Sequence, residues 1–490
     1  MLSIAEIQKF INDDISSEKK RLAAVGQRYY EAEHDILKCR LFYFNADGKL
    51  VEDTFRSNTK ISHPFFTELT DQLAAYMLSF DKNPIRAKSK AEGLQEHLDS
   101  YFDDAFWDEI GELITGAYSK GFEYLYAYKN AKDKLVFQCA DSMGVIEVRE
   151  SDTDDGCKYV IYWYIDRIEK GKKEIRRIQV WSDKETSYYV QSGNNGKIIP
   201  DDSIDVNPRP HVVFTDPKTN KKMGYGFGYI PFYRLDNGKK QFSGLKPIKA
   251  IIDDYDIMQC GLSNNLNDFD TPLYVVSGFQ GENLDELQTN LKTKKIVGVD
   301  SEGGIDIKTV DIPYEARKAK TDEDEKNIYR FGMGLNSIGL KDTNATTNIA
   351  IKMAYTLLDM KAEKMEKRLR KLLNQILEIV LVEINQKQKT DFQISDIEFD
   401  FKREVMANET ENANNEKTKA ETKQIEINII LNIAMQIGDE EALKAICSIL
   451  DYDYDEIMQS VKKQQEQDSL KSAQNALDGV ITEPTPAPGA

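Results

Sequence analysis

The strongest pattern in the chain runs from Ile349 to Ile384. Apolar residues recur at helical spacing (Ala354, Leu358, Met365, Leu369, Leu372, Ile376, Val380, Ile384), and neither Gly nor Pro interrupts them. At ~1.5 Å per residue this predicts a helix roughly 50 Å long. That exceeds the usual globular helix, so it reads as a spine, a coiled coil or an inter-subunit strut. The preceding stretch, Gly332–Asn348, is rich in Gly, Asn, Thr and Ser, which favour turns. A flexible polar loop ahead of a long strut suggests a part that moves while the strut holds. The first half of the spine is densely charged: Lys361, Lys364, Lys367, Arg368, Arg370 and Lys371 surround Glu363 and Glu366. Either this is a solvated helix face, or the basic face meets acidic neighbouring subunits or DNA phosphates.

The same reading places the remaining elements. Ile4 to about Phe44 reads mostly as helix, with Leu22, Val25 and Tyr29 near one face and Gly26 a weak point. Asn45–Gly48 is a turn. Ser62–Phe66 opens a second helix, with Ser62 or His63 near the cap and Pro64 suited to the first helical position; Phe66, Leu69, Leu73 and Met77 form its apolar face. A third helical stretch runs from Ala91 to Tyr118. Residues 122–215 are β-rich, with aromatic and β-branched runs separated by turn clusters. Aromatic Tyr159, Tyr162, Trp163 and Tyr164 fit alternate strand faces better than a ligand site. Gly224–Gly228 lacks the Lys-Ser/Thr of a phosphate-binding loop and precedes an extended segment, so it is not read as a nucleotide site.

A helix follows from Leu245 to Asp268. Strand Thr271–Ser277, a short helix Glu282–Leu291 and strands Lys295–Val299 and Ile305–Val310 come next, with Gly303-Gly304 as a turn. Tyr314–Phe331 is helical again. If the two flanking helices pair antiparallel, the small αβ module between them projects and should find a partner surface. After the spine come strand Asp396–Arg403, a polar hinge at Ala407–Asn415, and helices Lys417–Ile437, Glu440–Leu450 and Tyr454–Leu477. Gly438 suits the helix stop and Asp439 the next cap. Glu483–Ala490 is Pro-rich and reads as disordered.

Composition narrows the function. With 65 basic and 83 acidic residues the net charge is −18, so tight DNA binding by the chain as a whole is not expected. Five scattered cysteines form no metal spacing and read as reduced thiols. No signal peptide is seen, and the apolar runs are too short to span a bilayer. Asp253, Asp254 and Asp256 raise the thought of a metal site, but no His accompanies them in sequence, and a solvated acidic face is the default. His63 reads as a capping or packing residue. The four histidines (His34, His63, His97, His211) are dispersed, and no nucleophile–base constellation supports an enzyme.

The order of parts resembles the portal proteins of tailed double-stranded-DNA bacteriophages, the siphophage type of Gram-positive hosts. The resembling residues are the Ser62–Phe66 helix start, Ile230-Pro231-Phe232, Leu245–Ile248 through Ile252–Tyr255, Asn264–Phe269 with Leu273–Gly278, and the Gly334–Asn348 loop with its long helix. The resemblance covers about residues 1–470 and lies in the sequence of elements rather than in one motif. It implies an α+β portal fold: a helix-rich wing carrying a β-rich part (1–243), a two-helix stem (244–270 and 313–333), and a small αβ clip (271–312). It further implies a tunnel loop (334–348), a long spine helix (349–386), a wing strand (387–408), a helical crown (409–475) and a disordered tail (476–490).

By the same resemblance the chain forms a ring, a dodecamer, at one capsid vertex. The ring is the channel for DNA entry during packaging and exit during ejection. Implied partners are double-stranded DNA, terminase, a head–tail adaptor, and major capsid and scaffolding proteins. The implied location is the virion, with the host cytoplasm during assembly; no membrane, metal, cofactor or enzymatic activity is implied. The expected tunnel-loop residues are Asn336, Ser337, Lys341, Asp342, Thr343 and Asn344. The expected clip residues for partner binding are Phe279, Gln280, Glu282, Asn283, Glu286 and Lys294. Only Lys341 is basic in the loop, beside Asp342, which suits weak, sequence-independent contact with a DNA backbone. The alternative reading is a non-portal oligomeric scaffold or adaptor.

Overall fold

The computed structural model describes residues 2–130, 133–149, 156–169, 173–193, 196–215, 222–269, 273–279, 298–308, 313–336, 348–403 and 409–450, together with Asp285, Leu287, Tyr454, Ile457 and Met458. The chain divides into two compact units, Met1–Asn344 with Lys352–Val405, and Ala345–Ile351 with Met406–Ala490. The architecture is α+β. Its helices are α1 (Ile4–Ile15), α2 (Glu18–Tyr30), α3 (Phe65–Met77), α4 (Leu94–Tyr101), α5 (Asp104–Lys120), α6 (Lys249–Phe269), α7 (Tyr314–Phe331), α8 (Asn348–Gln388), α9 (Glu409–Ile437) and α10 (Asp439–Leu450).

The amino-terminal stretch expected to be mostly helix as far as Phe44 is two α-helices ending at Tyr30, then a 3₁₀ turn at Asp35–Lys38 and a strand at Phe42–Phe44. Ser3 and Ser17 each cap a helix by accepting a backbone N–H, from Glu6 and Lys20. Paired serines at 16–17 compete with helix backbone bonds and break the run. The face of α2 also differs. Lys20, Ala23, Gly26 and Tyr29 are buried, and Leu22 is exposed. Gly26 is a close approach: a Cβ there would lie 2.0 Å from the Ser119 carbonyl oxygen of α5. Likewise the 91–118 stretch splits, because Asp103 caps α5 with its side chain.

The β-rich region is as expected. A six-stranded antiparallel sheet runs in the order 198–200, 185–192, 173–181, 159–169, 145–148, with 209–210 beside 185–192. Period-2 alternation sends Ile161, Ile178, Val180 and Tyr189 against Ile7 and Ile11 of α1. Val160 and Trp181 point the other way, toward Phe122, Tyr124 and Ala23. A second sheet runs in the order 232–236, 122–129, 135–140. It packs in the main core with α3, α5 and α8, where Leu69, Leu73, Ile110, Leu113, Leu369, Leu373 and Ile376 are fully buried. Strand 397–399 closes on 85–87. In the second unit, the polar stretch expected as a hinge is the start of α9. Gly438 ends that helix at φ +91°, as its sequence position suggests. The expected helix Tyr454–Leu477 and the Pro-rich tail lie almost wholly outside the described residues.

Candidate channel and docking elements

α6 and α7 lie side by side and antiparallel. Lys320 of α7 pairs with Asp254 of α6 at 2.6 Å, while Arg317, one turn earlier, reaches the Met258 carbonyl one turn later. The acidic cluster on α6 is not a solvated face. Asp253 pairs with Lys249 at 2.7 Å and accepts from the Tyr29 hydroxyl, Asp254 pairs with Lys320, and Asp256 is fully buried.

Asp256 gathers histidines that are 29 residues apart in sequence. His34 Nδ1 lies 2.6 Å from one carboxylate oxygen; His63 Nδ1 at 2.7 Å and the His63 backbone N–H at 3.0 Å share the other. Burial alone would push the Asp256 carboxyl up, but the hydrogen bonds from His34 and His63 outweigh it and hold the group below the ordinary carboxylate value of 3.8. The histidines therefore converge where the sequence suggested dispersal, and His63 is a carboxylate ligand rather than the helix cap, a place taken by Pro64. Among the described residues no group of three or more His, Cys, Asp or Glu is placed to hold a metal.

From Asp256 an extended segment is strapped along α6. The backbone N–H groups of Ser57, Thr59, Ile61 and His63 donate to Asp268 Oδ1 (3.0 Å), Asn264 Oδ1 (2.7 Å), Cys260 Sγ (3.3 Å) and Asp256 Oδ1 (3.0 Å). The spacing is geometric. Four residues of helix rise about 6 Å and two residues of extended chain about 6.6 Å. Positions 256, 260, 264 and 268 therefore meet every second N–H of the strap.

Between α6 and α7 a two-stranded antiparallel hairpin pairs Leu273–Phe279 with Val299–Lys308. At the expected turn, Gly303-Gly304, the strand runs on but its register breaks: Gly304 faces Ser277 and Val299 faces Phe279, so 300–303 stand between paired positions. A bulge between Ser277 and Phe279 puts Gly278 at φ +65°, a conformation open to glycine. Phe279, half-buried opposite Val299, ends this described hairpin. The other expected clip residues, Gln280, Glu282, Asn283, Glu286 and Lys294, lie outside the described residues, as does the expected short helix Glu282–Leu291 except Asp285 and Leu287.

After α7 the root of the expected loop is fixed rather than flexible. The Leu335 N–H donates to Gln72 Oε1 at 3.0 Å, and Gln72 Nε2 donates back to the Leu335 carbonyl at 2.9 Å. Asn336 donates to Glu325 at 3.3 Å. Gly332 and Gly334 straddle Leu69, whose methyls would lie 2.6 and 2.0 Å from Cβ atoms at those positions. Ser337, Lys341, Asp342, Thr343 and Asn344 lie outside the described residues.

Lys361 completes the root from the other side. It does not belong to the spine's charged surface: it is buried, donates to the carbonyls of Leu69 (3.2 Å) and Gly332 (3.0 Å), and sits over the Tyr118 ring. Burial lowers its pKa to about 7. The other cations divide. Arg370 pairs with Glu366, one helical turn earlier, at 2.7 Å, and Arg403 joins the same carboxylate. Lys364, Lys367, Arg368 and Lys371 form one stripe along a cleft of about 870 Å3, whose far wall carries Glu147, Arg149, Asp183, Arg234 and Asp236 of the β-rich part. The stripe thus turns toward the sheets of its own chain.

The arrangement is an antiparallel helix pair that carries a hairpin at one end and leads, through a pinned root, into a 41-residue helix. Its described parts orient and support one another. Comparison with known sequences defines the class. Residues 8–471 match the family model described as phage portal protein, SPP1 Gp6-like. The chain belongs to that family. It is 26% identical to the portal protein of Bacillus phage SPP1 over 346 residues, covering 70% of this chain and 66%, just under two thirds, of that protein's length. It is 24% identical over 431 residues to the portal protein of Clostridium phage phiCD119, covering 84% of this chain and 88% of the relative. No helix among the described residues is long and apolar enough to cross a membrane.

Proposed function

We propose that this chain forms a closed ring, a dodecamer, at one vertex of a phage capsid. The ring is the channel for double-stranded DNA during packaging and ejection. The observation that carries the reading is the order α6, hairpin, α7, pinned root, α8 within residues 8–471, the stretch that matches the portal family. In this reading α6 and α7 are the stem, residues 271–312 the clip that meets terminase and later the head–tail adaptor, and residues 409–475 the crown. Major capsid and scaffolding proteins surround the wing, 1–243 with α8. The chain works in the virion after assembling in the host cytoplasm.

Residues 334–348 face the DNA. Asn336, Ser337, Lys341, Thr343 and Asn344 contact the backbone weakly, with Asp342 beside Lys341 in the same loop. A conduit must hold DNA without trapping it, and affinity rises steeply with each phosphate neutralised. A chain of net charge −18 with one lysine in the loop suits passage. The test is electron microscopy of the purified protein viewed down the axis. Closed rings with a central hole are expected, while a protein that stays monomeric at high concentration and in the presence of capsid and scaffolding proteins would contradict the reading. For the loop, charge reversal of Lys341 combined with shortening is expected to impair packaging or DNA retention; unchanged packaging and retention would remove its role.

A further inference from the structure

We propose that residues 35–61 are an arm that a second copy of this chain covers in the ring; the inference rests on the ring reading above and names one of its contact surfaces. The arm leaves the body at His34 and returns at His63, and both ends close on the same buried carboxylate, Asp256. The strap Ser57–His63 ties its returning limb to α6. Between these ties the chain is built but uncovered. Phe42–Phe44 and Leu50–Glu52 form an antiparallel hairpin across a turn in which Asn45 Oδ1 accepts from the Asp47 and Lys49 N–H groups.

None of residues 35–61 is buried, although the segment carries Leu37, Phe42, Tyr43, Phe44, Leu50, Val51, Phe55 and Ile61. Phe44 is 73% and Phe55 87% exposed. A lone two-stranded hairpin is marginal in water, and an exposed apolar patch of this kind marks an interaction surface. At roughly 150–250 Å2 per aromatic side chain, the exposed parts of the four aromatics leave on the order of 500 Å2 uncovered. That is most of the ~800 Å2 each partner contributes to a standard interface.

The chemistry selects the occupant. The arm carries five basic and four acidic residues (Lys38, Arg40, Lys49, Arg56, Lys60; Asp35, Asp47, Glu52, Asp53). It is nearly neutral and does not suit a polyanion such as DNA. An exposed apolar surface of this kind fits a permanent neighbour. A ring of one chain needs a heterologous contact in which one face of each copy meets a different face of the next. The arm supplies such a face.

The test compares wild type with the Phe44→Ser/Phe55→Ser double variant by mass photometry across a concentration series. It is paired with photo-cross-linking from p-benzoylphenylalanine placed at position 44 of the full chain. The variant is expected to melt as wild type does, since both side chains are exposed, and to need roughly tenfold or more protein for half-assembly. Position 44 is expected to cross-link to a second copy. If wild type forms rings but the variant assembles equally well, or position 44 captures no second copy within those rings, the arm proposal is overturned and the ring reading stands. Cross-linking to a capsid or scaffolding protein instead, in cells making all of them, also overturns it. If wild type forms no rings even at high concentration and with capsid and scaffolding proteins present, and no self-cross-link appears, the ring reading fails and the arm falls with it. Should the variant misfold, the cross-link alone decides, because it leaves the rest of the arm intact.

Discussion

α8 and α9 carry the same signal and meet opposite fates. Both are long helices with apolar residues at helical spacing. In α8, Leu358, Met365, Leu369, Leu372, Ile376, Val380 and Ile384 are buried against α3, α5 and the small sheet. In α9, Ile425, Ile429, Leu431 and Ile433 stay exposed, the first three by more than half. Periodicity states that a face must be covered; it does not state by whom. Coverage within the chain makes a spine. A stripe left exposed among the described residues, as in α9 and in the 35–61 arm, is what the proposed ring has to cover.

The largest expected effect comes from breaking the covered stripe. Ile376→Asp places an unpaired charge where no water reaches, at a cost of roughly 4–5 kcal/mol or more. Loss of the cooperative melting transition followed by circular dichroism is the expected result. Next is the polar cover at the neck of the arm. Asp256→Ala leaves two imidazoles and one backbone N–H without their acceptor, and is expected to cost about 3 kcal/mol in chemical denaturation. Its pH dependence has a definite sign. The folded carboxyl is depressed below 3.8, so its contribution is present above that value and lost as pH falls through the lower folded value. The gap between wild type and Asp256→Asn should hold from neutral pH down to about 5 and shrink below about 4.

Lys361 gives a smaller effect and acts in a higher pH window, with stability again rising with pH. Its folded pKa of about 7 lies below the ordinary 10.5. Between those values the unfolded chain binds the extra proton, so stability rises with pH, at most by about 1.4 kcal/mol per unit. Lys361→Met is expected to flatten that rise between pH 7 and 10. Smallest of all is the open stripe. Ile425→Ser with Ile429→Ser should change the melting of dissociated subunits by no more than about 0.5 kcal/mol, while weakening ring assembly.

How much was legible follows the range of the forces. Local signals carried the α6, α7 and α8 spans, the strands from 122 to 192 and the Gly438 stop, because side-chain periodicity and turn chemistry act within a few residues. The order of these parts was enough to suggest the family. What escaped depends on contacts distant in sequence. Lys361 reads as one of six surface cations until Leu69 and Gly332 close over it. Asp253, Asp254 and Asp256 read as a wet face until Lys249, Lys320, His34 and His63 arrive. Gly26 reads as a weakness until Ser119 needs the space. The strap had a faint trace, acceptor side chains at 256, 264 and 268 with Cys260 between, but its partner is a stretch of backbone and leaves no mark in side-chain type.

The most direct measurement is hydroxyl-radical footprinting, read residue by residue by mass spectrometry, on dissociated subunits and on assembled rings of the same preparation. The α8 residues Leu369, Leu372 and Ile376 should be protected in both states, whereas Phe44, Phe55, Ile425 and Ile429 should be reactive in subunits and protected in rings. Equal reactivity of the arm and α9 residues in the two states would contradict the account, because the faces left open by the chain would then not be the ones that assembly covers.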